Sequence, residues 1–277
     1  MKEQILVTKA SGEKQVFEVE KLRLSLRNAG AGELLVDQIT ADILAWISDG
    51  VSTKKIYARA FYLLQRSHRM SGLRYRLKQA IMEMGPTGYP FEHLVGRIFE
   101  KRGFSVQVGQ MVEGRCVSHE VDVIATGRLE QHLVECKYHY DQGRTVSVQV
   151  PLYVRSRMDD IIARRSAMTE FQGFRFSGWV ATNTRFSSDS IDFGRCSGLS
   201  LLAWDYPAGQ GLKEIIERER IYPITILSQL NKVQKEELMS QGIVTCSQLL
   251  KVPELIDAFG LSVKKIEAVM RELEEVG

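Results

Sequence analysis

Two short apolar runs constrain this chain more than anything else in it. Val121-Asp122-Val123 places a carboxylate between valines, and thirteen residues after Asp122 comes Glu135, in Val134-Glu135-Cys136-Lys137. Strand side chains alternate faces, so Glu135 and Lys137 share one face and Cys136 takes the other. The stretch between, Thr126-Gly127-Arg128-Leu129-Glu130, carries a turn signal and predicts a hairpin that brings Asp122 beside Glu135. Two carboxylates side by side in an apolar setting are costly without a cation between them. Oxygen donors of this kind suit Mg²⁺ or Mn²⁺. A lysine next to such a cation can steady charge developing on a phosphate. The pattern points to metal-dependent phosphodiester chemistry. The alternative is a structural Asp–Lys ion pair.

Composition bounds the class. The chain has 277 residues, enough for more than one domain. No apolar run approaches the ~20 residues of a membrane span, and Met1-Lys2-Glu3-Gln4 has no apolar export signal, so a cytoplasmic protein is expected. Cys116, Cys136, Cys196 and Cys246 form no Cys-x-x-Cys pair, which suits reduced thiols. Residues 1–88 hold 14 Lys/Arg against 9 Asp/Glu; residues 89–208 hold 14 against 14, and residues 209–277 hold 9 against 11. The basic first third fits a polyanion or nucleotide partner.

Breaks at Gly85–Pro90 and at Pro207–Gly211 divide the chain into three expected modules, 1–88, 89–208 and 209–277. The first predicts a small strand pair (Gln4 to Lys9, a Ser11-Gly12 turn, then Val16-Phe17), followed by helices bearing Leu22, Leu26 and Ala29, then Val36, Ile39, Ile43 and Ile47, then Ile56, Ala60 and Leu64. The second predicts a helix through Phe91, Leu94, Val95, Ile98 and Phe99, three strands, a helix around 148–163, a strand at Trp179–Asn183, a short helix and a last strand. The third reads as helical.

Val7-x-Lys9-x-x-Gly12, Lys21-Leu22, Asp49-Gly50-Val51-Ser52-Thr53, Ile56-Tyr57 and Arg74-Tyr75-Arg76-Leu77 resemble the ATP-cone, a nucleotide-sensing module. The resemblance covers about the first ninety residues. It implies a mainly helical domain with a small N-terminal β-hairpin that binds ATP or dATP as a regulatory ligand. Carried over residue by residue, Val7, Lys9, Lys21, Leu22, Thr53 and Tyr57 hold the nucleotide. Family members often have a basic residue where this chain has Ala10, and Lys14 is the candidate to replace that charge.

Phe91-Glu92-His93-Leu94-Val95, Val121-Asp122-Val123, Glu135-Cys136-Lys137 and Thr182-Asn183-Thr184-Arg185-Phe186 together resemble the Mrr-like restriction endonucleases of the PD-(D/E)xK fold. That resemblance implies a mixed-sheet core and Mg²⁺- or Mn²⁺-dependent DNA cleavage. Glu92 is then the helix carboxylate, Asp122 and Glu135 the metal ligands, and Lys137 the catalytic lysine. Gln149 is the candidate for the glutamine that follows on the next helix. Two cuts need two sites, so a homo-oligomer, at least a dimer, is expected. Residues 212–277 resemble a helix-hairpin-helix tail, in which Gly260, Ser262, Lys264 and Lys265 would meet DNA phosphates. The tail's acidic balance leaves protein docking open. The fold class expected is therefore α/β multidomain, with a small all-α C-terminal domain.

Three other readings stand beside these. Cys116, His119, His132 and Cys136 have finger-like spacing for zinc, against which Cys136 belongs in the core. Arg144, Arg155, Arg157, Arg164 and Arg165 either track a phosphate backbone or form a solvated face with Asp159 and Asp160. An inactive nucleotide-sensing regulator, or a nuclease acting on RNA or on branched or damaged DNA, remains open at this level. No Gly-x-x-x-x-Gly-Lys-Ser/Thr motif occurs, so ATP is expected to regulate rather than be hydrolysed by a P-loop.

Overall fold

The computed structural model describes residues 5–9, 13–67 and 69–276, with backbone only at 69, 70 and 74. Gln4, Ala10, the Ser11-Gly12 turn and the side chain of Arg74 lie outside the described residues. The chain forms two compact units, Met1–Lys78 and Gln79–Gly277. No described helix is long and apolar enough to cross a membrane.

In the first unit β1 (Leu6–Thr8) pairs antiparallel with β2 (Lys14–Val16), Val7 opposite Gln15. Helices α1 (Val19–Asn28), α2 (Glu33–Trp46) and α3 (Thr53–Ser67) follow, and α4 (Arg69–Met82) begins here. Their helical-period apolar residues make one core: Leu22 and Leu26, Val36, Ile39 and Ile43, then Ile56, Ala60 and Leu64, with Val7 from the strand. Asp49 closes the turn after α2 by accepting the Leu6 N–H at 2.8 Å. Gly50, at φ 82°, supplies the left-handed residue that this turn needs.

The second unit continues with α5 (Tyr89–Lys101), β3 (Ser105–Glu113), β4 (Ser118–Thr126), β5 (Glu130–Lys137), β6 (Thr145–Val146) and α6 (Gln149–Arg165). Then come β7 (Arg175–Thr182), β8 (Arg185–Phe186), α7 (Ser188–Ser197) and β9 (Ser200–Leu202). The main sheet runs β3-β4-β5-β7-β9 and is mixed. β3, β4 and β5 are antiparallel, while β5, β7 and β9 are parallel and joined by the crossovers α6 and α7. One face packs on α5. The other holds Ile124, Leu133 and Val180 against Val154, Met158 and Ile161 of α6. Gly96 lets α5 approach closely, since a Cβ there would lie 3.1 Å from Val106 Cγ1.

The remaining helices are α8 (Leu212–Glu219), α9 (Lys232–Ser240), α10 (Cys246–Leu249), α11 (Glu254–Asp257) and α12 (Val263–Val276). Side-chain capping boxes start α9 (Asn231 with Gln234) and α10 (Thr245 with Gln248). The expected break at Pro207–Gly211 is a packed turn, with Leu212 N–H bonded to Ala203 O at 2.8 Å. Farther on, Thr225 Oγ1 donates to Ala80 O at 2.6 Å and Lys235 Nζ to Thr225 O at 3.0 Å. These bonds and the apolar faces of α8 to α12 pack the C-terminal helices within the compact unit Gln79–Gly277.

Candidate active site

Asp122 sits where β4 breaks its alternation. Val121 packs in the α6-side core, whereas Val123 lies beneath Gly96 of α5. Valines two apart on a regular strand would share a face. The β3 residue opposite Asp122 is Gly109, at φ 62°, a conformation open to glycine and strained for most other residues. The break in alternation therefore falls at Asp122, between a residue that faces α6 and one that faces α5. Asp122 Oδ2 accepts the Cys136 N–H at 2.7 Å, which fixes the carboxylate against β5. The β4–β5 register, read outward from Val123↔Val134, puts Asp122 opposite Glu135. Gly127 N–H donates to Glu130 O at 2.8 Å and closes the hairpin at the predicted turn.

Glu135 is buried at 4% exposure, and both of its carboxylate oxygens are engaged. Oε1 lies 2.7 Å from Lys137 Nζ, and Oε2 accepts from Arg157 Nη1 on α6. Among the described residues neither Asp122 nor Glu92 makes an ion pair, and the Glu92 carboxylate makes no hydrogen bond; Lys137 acts on both only at longer range. Burial, then the neighbouring Glu135, push Asp122 up to about 6. Burial, then Asp122, Glu120 and Glu135, push Glu92 up to about 7. Four carboxylates thus share one electrostatic neighbourhood. Glu120 was not picked out from the sequence; its place two residues before Asp122 was the available signal.

The crowded carboxylates fit a hard divalent cation. Among the described residues no three His, Cys, Asp or Glu side chains converge as a cage. Asp122 and Glu135 would hold the ion, the remaining positions falling to water and substrate phosphate as Mg²⁺ commonly allows. The same observation disposes of the zinc spacing. His119 Nε2 bonds Asp160 at 2.8 Å, His132 Nδ1 bonds Ser177 at 2.5 Å, and Cys136 is buried with its thiol pushed well up by burial.

Lys137 is the last residue of β5, and its continuation is tied down by a buried polar turn. Thr182, Asn183 and Thr184 are fully buried. Thr182 Oγ1 donates to Lys137 O at 2.7 Å. Asn183 Oδ1 accepts the His139 N–H and its Nδ2 donates to His139 O, both at 2.8 Å. The Asn183 amide thus takes the part of an additional strand. Tyr138 Oη donates to Met82 O at 2.7 Å and accepts from Gly85 N–H at 2.9 Å.

Gln149 opens α6 and is exposed. Tyr153 and Arg157 follow it at i+4 and i+8 on one stripe. Arg165 bonds Gln131 while Arg157 bonds Glu135, so α6 runs opposite to β5 and carries Gln149 toward the Lys137 end. Of the five arginines, Arg155 is spent on Asp159 at 2.5 Å, Arg157 on Glu135 and Arg165 on Gln131. Arg157 and Arg165 are turned inward onto β5, which corrects the phosphate-tracking reading for those two, while Arg155 and Asp159 form the solvated pair of the alternative reading. Arg144 and Arg164 make no ion pair among the described residues.

In the first unit a cavity of 200 Å³ is lined by Val7, Lys21, Leu22, Thr53 and Tyr57, with Phe17 and Tyr75. Tyr57 stacks on Tyr75 with ring centroids 4.7 Å apart and donates to its carbonyl at 3.0 Å. Lys9 and Lys14 do not line it. Lys9 pairs with Glu13 at 3.0 Å, and Lys14, next to the lining residue Gln15, projects from the other face of β2. In the tail Gly260, at φ 59°, precedes α12, whose first turn accepts at Ser262 O from Lys265 N–H. Ser262 and Lys264 are exposed.

Known proteins share this architecture. Residues 84–206 match the restriction endonuclease (Mrr catalytic) family, and residues 222–276 match the family described as AF1548-like, C-terminal. An uncharacterized protein of Archaeoglobus fulgidus is 32% identical over 183 residues, which is 66% of this chain and 99% of the relative. The chain belongs to the AF1548-like family. The crystal structure of AF1548, a protein of unknown function, is similar with a TM-score of 0.56 at 31% identity, over 69% of this chain and 98% of that one. MspJI restriction endonuclease, solved with a 27-mer oligonucleotide, aligns at 17% identity and a TM-score of 0.30, over 48% of this chain and 29% of its own. This AF1548-like protein therefore carries a restriction-endonuclease-like domain followed by an AF1548-like helical domain. Neither family match reaches residues 1–83.

Proposed function

We propose that this protein is a Mg²⁺- or Mn²⁺-dependent endonuclease that hydrolyses DNA phosphodiester bonds, regulated by ATP or dATP in its N-terminal unit. One observation carries the reading: Asp122, Glu135 and Lys137 stand together on two paired strands, with Asp122 half-buried, raised by burial and by Glu135, and in no ion pair among the described residues. Asp122 and Glu135 would hold the ion, which when bound would supply an activated water and screen the phosphate. Lys137, tethered through its carbonyl, would offer its ammonium to charge developing on the scissile phosphate. Glu92, raised to about 7, can exchange a proton with water near neutral pH. Gln149 orients water or phosphate from the start of α6. The match of residues 84–206 to the restriction endonuclease family supports the reaction class.

Nucleotide regulation rests on the cavity that gathers Val7, Lys21, Leu22, Thr53 and Tyr57. Its volume suits a base or a sugar rather than a whole nucleotide, so the phosphates extend toward Lys21 and solvent. ATP or dATP shifts the assembly of at least two chains, and Gly260, Ser262, Lys264 and Lys265 add phosphate contacts from the tail. The test is plasmid cleavage by the full-length protein with Mg²⁺ or Mn²⁺, with and without ATP and dATP. Divalent-dependent nicking that nucleotide modulates is expected. No cleavage of any DNA or RNA form under these conditions rejects the reading, and cleavage of RNA alone moves the substrate.

A further inference from the structure

Arg157 has a position that the hydrolytic reading does not by itself require. Its guanidinium reaches from α6 to both ligand-bearing strands. Nη1 donates to Glu120 O on β4 at 2.9 Å and to Glu135 Oε2 on β5. The guanidinium carbon lies 4.5 Å from the centroid of the Tyr153 ring, one turn earlier on the same helix. Among the described residues its buried Nε has no partner, so the group is held by its far end. Its side chain is only 15% exposed, too enclosed to follow a DNA backbone.

On the hydrolytic reading above, we infer that Arg157 is a positioning residue, fixing the Glu135 carboxylate so that it can receive the divalent ion. A carboxylate has about four acceptor sites. Lys137 takes one on Oε1 and Arg157 takes one on Oε2 from the helix side, which leaves acceptor sites on both oxygens. Metal-ligating carboxylates are commonly held in this way by outer hydrogen bonds, and loss of such a partner typically weakens metal affinity about 10–100-fold. Arg157 also brings a positive charge to a neighbourhood of four carboxylates, where Lys137 alone would leave a larger excess. The planar fork matters as well as the charge, because Nη1 must serve a carbonyl and a carboxylate at once while the plane rests on Tyr153.

The test uses the full-length protein and Mn²⁺ as probe, followed by calorimetry or by the spin-resonance signal of free Mn²⁺, alongside cleavage as a function of Mn²⁺. Arg157→Met is expected to weaken Mn²⁺ binding at least tenfold. Its half-saturating Mn²⁺ for cleavage should rise in parallel, with most of the rate recovered at saturating metal. Arg157→Lys, which keeps the charge and most of the packing, should fall between. Should the Met variant fail to fold, the Lys variant decides, read by the same titration. Affinity equal to wild type in the folded variants overturns the inference, and so does tighter binding, which would make Arg157 a competitor for Glu135. Wild-type protein that binds Mn²⁺ and cuts while both variants bind it equally well leaves the nuclease reading standing and removes only this role. Wild-type protein that binds no Mn²⁺ removes both.

Discussion

The β4–β5 site and the cavity of the first unit use charge in opposite ways. At the strand site Asp122, Glu135 and Arg157 are withdrawn from water, and the carboxylates outnumber the cations around them. In the first unit Lys9 and Lys21 pair with Glu13 and Glu18 at the surface, and the cavity itself is walled mainly by Val7, Phe17, Leu22, Tyr57 and Tyr75. Buried, unbalanced charge has a large energetic cost and marks a place where chemistry is prepared. Paired surface charge costs little and marks nothing by itself. The largest expected effect breaks or upholds that contrast. Asp122→Ala and Lys137→Ala should each lower divalent-dependent cleavage by on the order of 10³-fold or more. Circular dichroism should show both folded, and nucleotide affinity should be unchanged. Cleavage at the wild-type rate would mean that the buried charge serves structure alone.

The second effect reads the same imbalance as stability. Asp122 is raised in the folded state from 3.8 to about 6. A carboxyl raised on folding contributes stability fully at low pH and loses it as pH rises through the folded value. Glu92, raised to about 7, acts in the same direction. Metal-free protein should therefore lose stability between about pH 4 and pH 7, from the ordinary carboxyl values to the raised ones, with Asp122 accounting for on the order of 2–3 kcal/mol. Asp122→Asn should melt higher than wild type at pH 8 without metal. Mg²⁺ should raise the wild-type melting temperature at pH 8 and leave the variant nearly unmoved. A wild-type melting temperature that is flat across this range contradicts the unbalanced-charge account.

A third, smaller effect concerns what holds Lys137. Asn183→Ala would remove the partners of the half-buried His139 N–H and C=O, at up to about 1–3 kcal/mol each in unmet hydrogen bonding, relieved in part by water. The melting temperature should fall, and cleavage should drop through kcat with the half-saturating Mg²⁺ held. A fall in stability with unchanged kcat would show that the turn supports the fold and not the lysine.

How much of this was legible beforehand follows the same division. Asp122, Glu135 and Lys137 could be read because strand alternation is a local rule and an acid between valines violates local expectation. The hairpin at Gly127 and the stripe of α5 were legible for the same reason. Arg157 was not, because its partner lies 22 residues away and only the antiparallel course of α6 over β5 joins them. Glu120 looks like any exposed strand acid until β4 breaks its alternation at Asp122. The packing of residues 209–277 into the second unit depends on bonds such as Thr225 to Ala80, which span 145 residues and leave no local trace. In the first unit the cavity residues were named through family resemblance, and alternation then separated Gln15, which lines the cavity, from Lys14, which does not.

The smallest expected effect sharpens the contrast from the nucleotide side. Lys21 lines the cavity but is well exposed, with its ammonium 2.7 Å from Glu18. A nucleotide phosphate would have to compete with that carboxylate and with water, so the lysine adds little. Lys21→Ala should weaken ATP binding by about fivefold, roughly 1 kcal/mol, and the loss should shrink as salt rises. Lys9→Ala removes a lysine that is paired elsewhere and lies outside the cavity lining, so it should leave ATP affinity unchanged. Tyr57→Ala, which removes half of the stacked pair in the wall, should cost more than either. Calorimetry on the three full-length variants ranks them. Equal losses for Lys9 and Lys21 would mean that the phosphates lie along the hairpin rather than at the start of α1. A loss at Lys9 alone would move the nucleotide out of the cavity altogether.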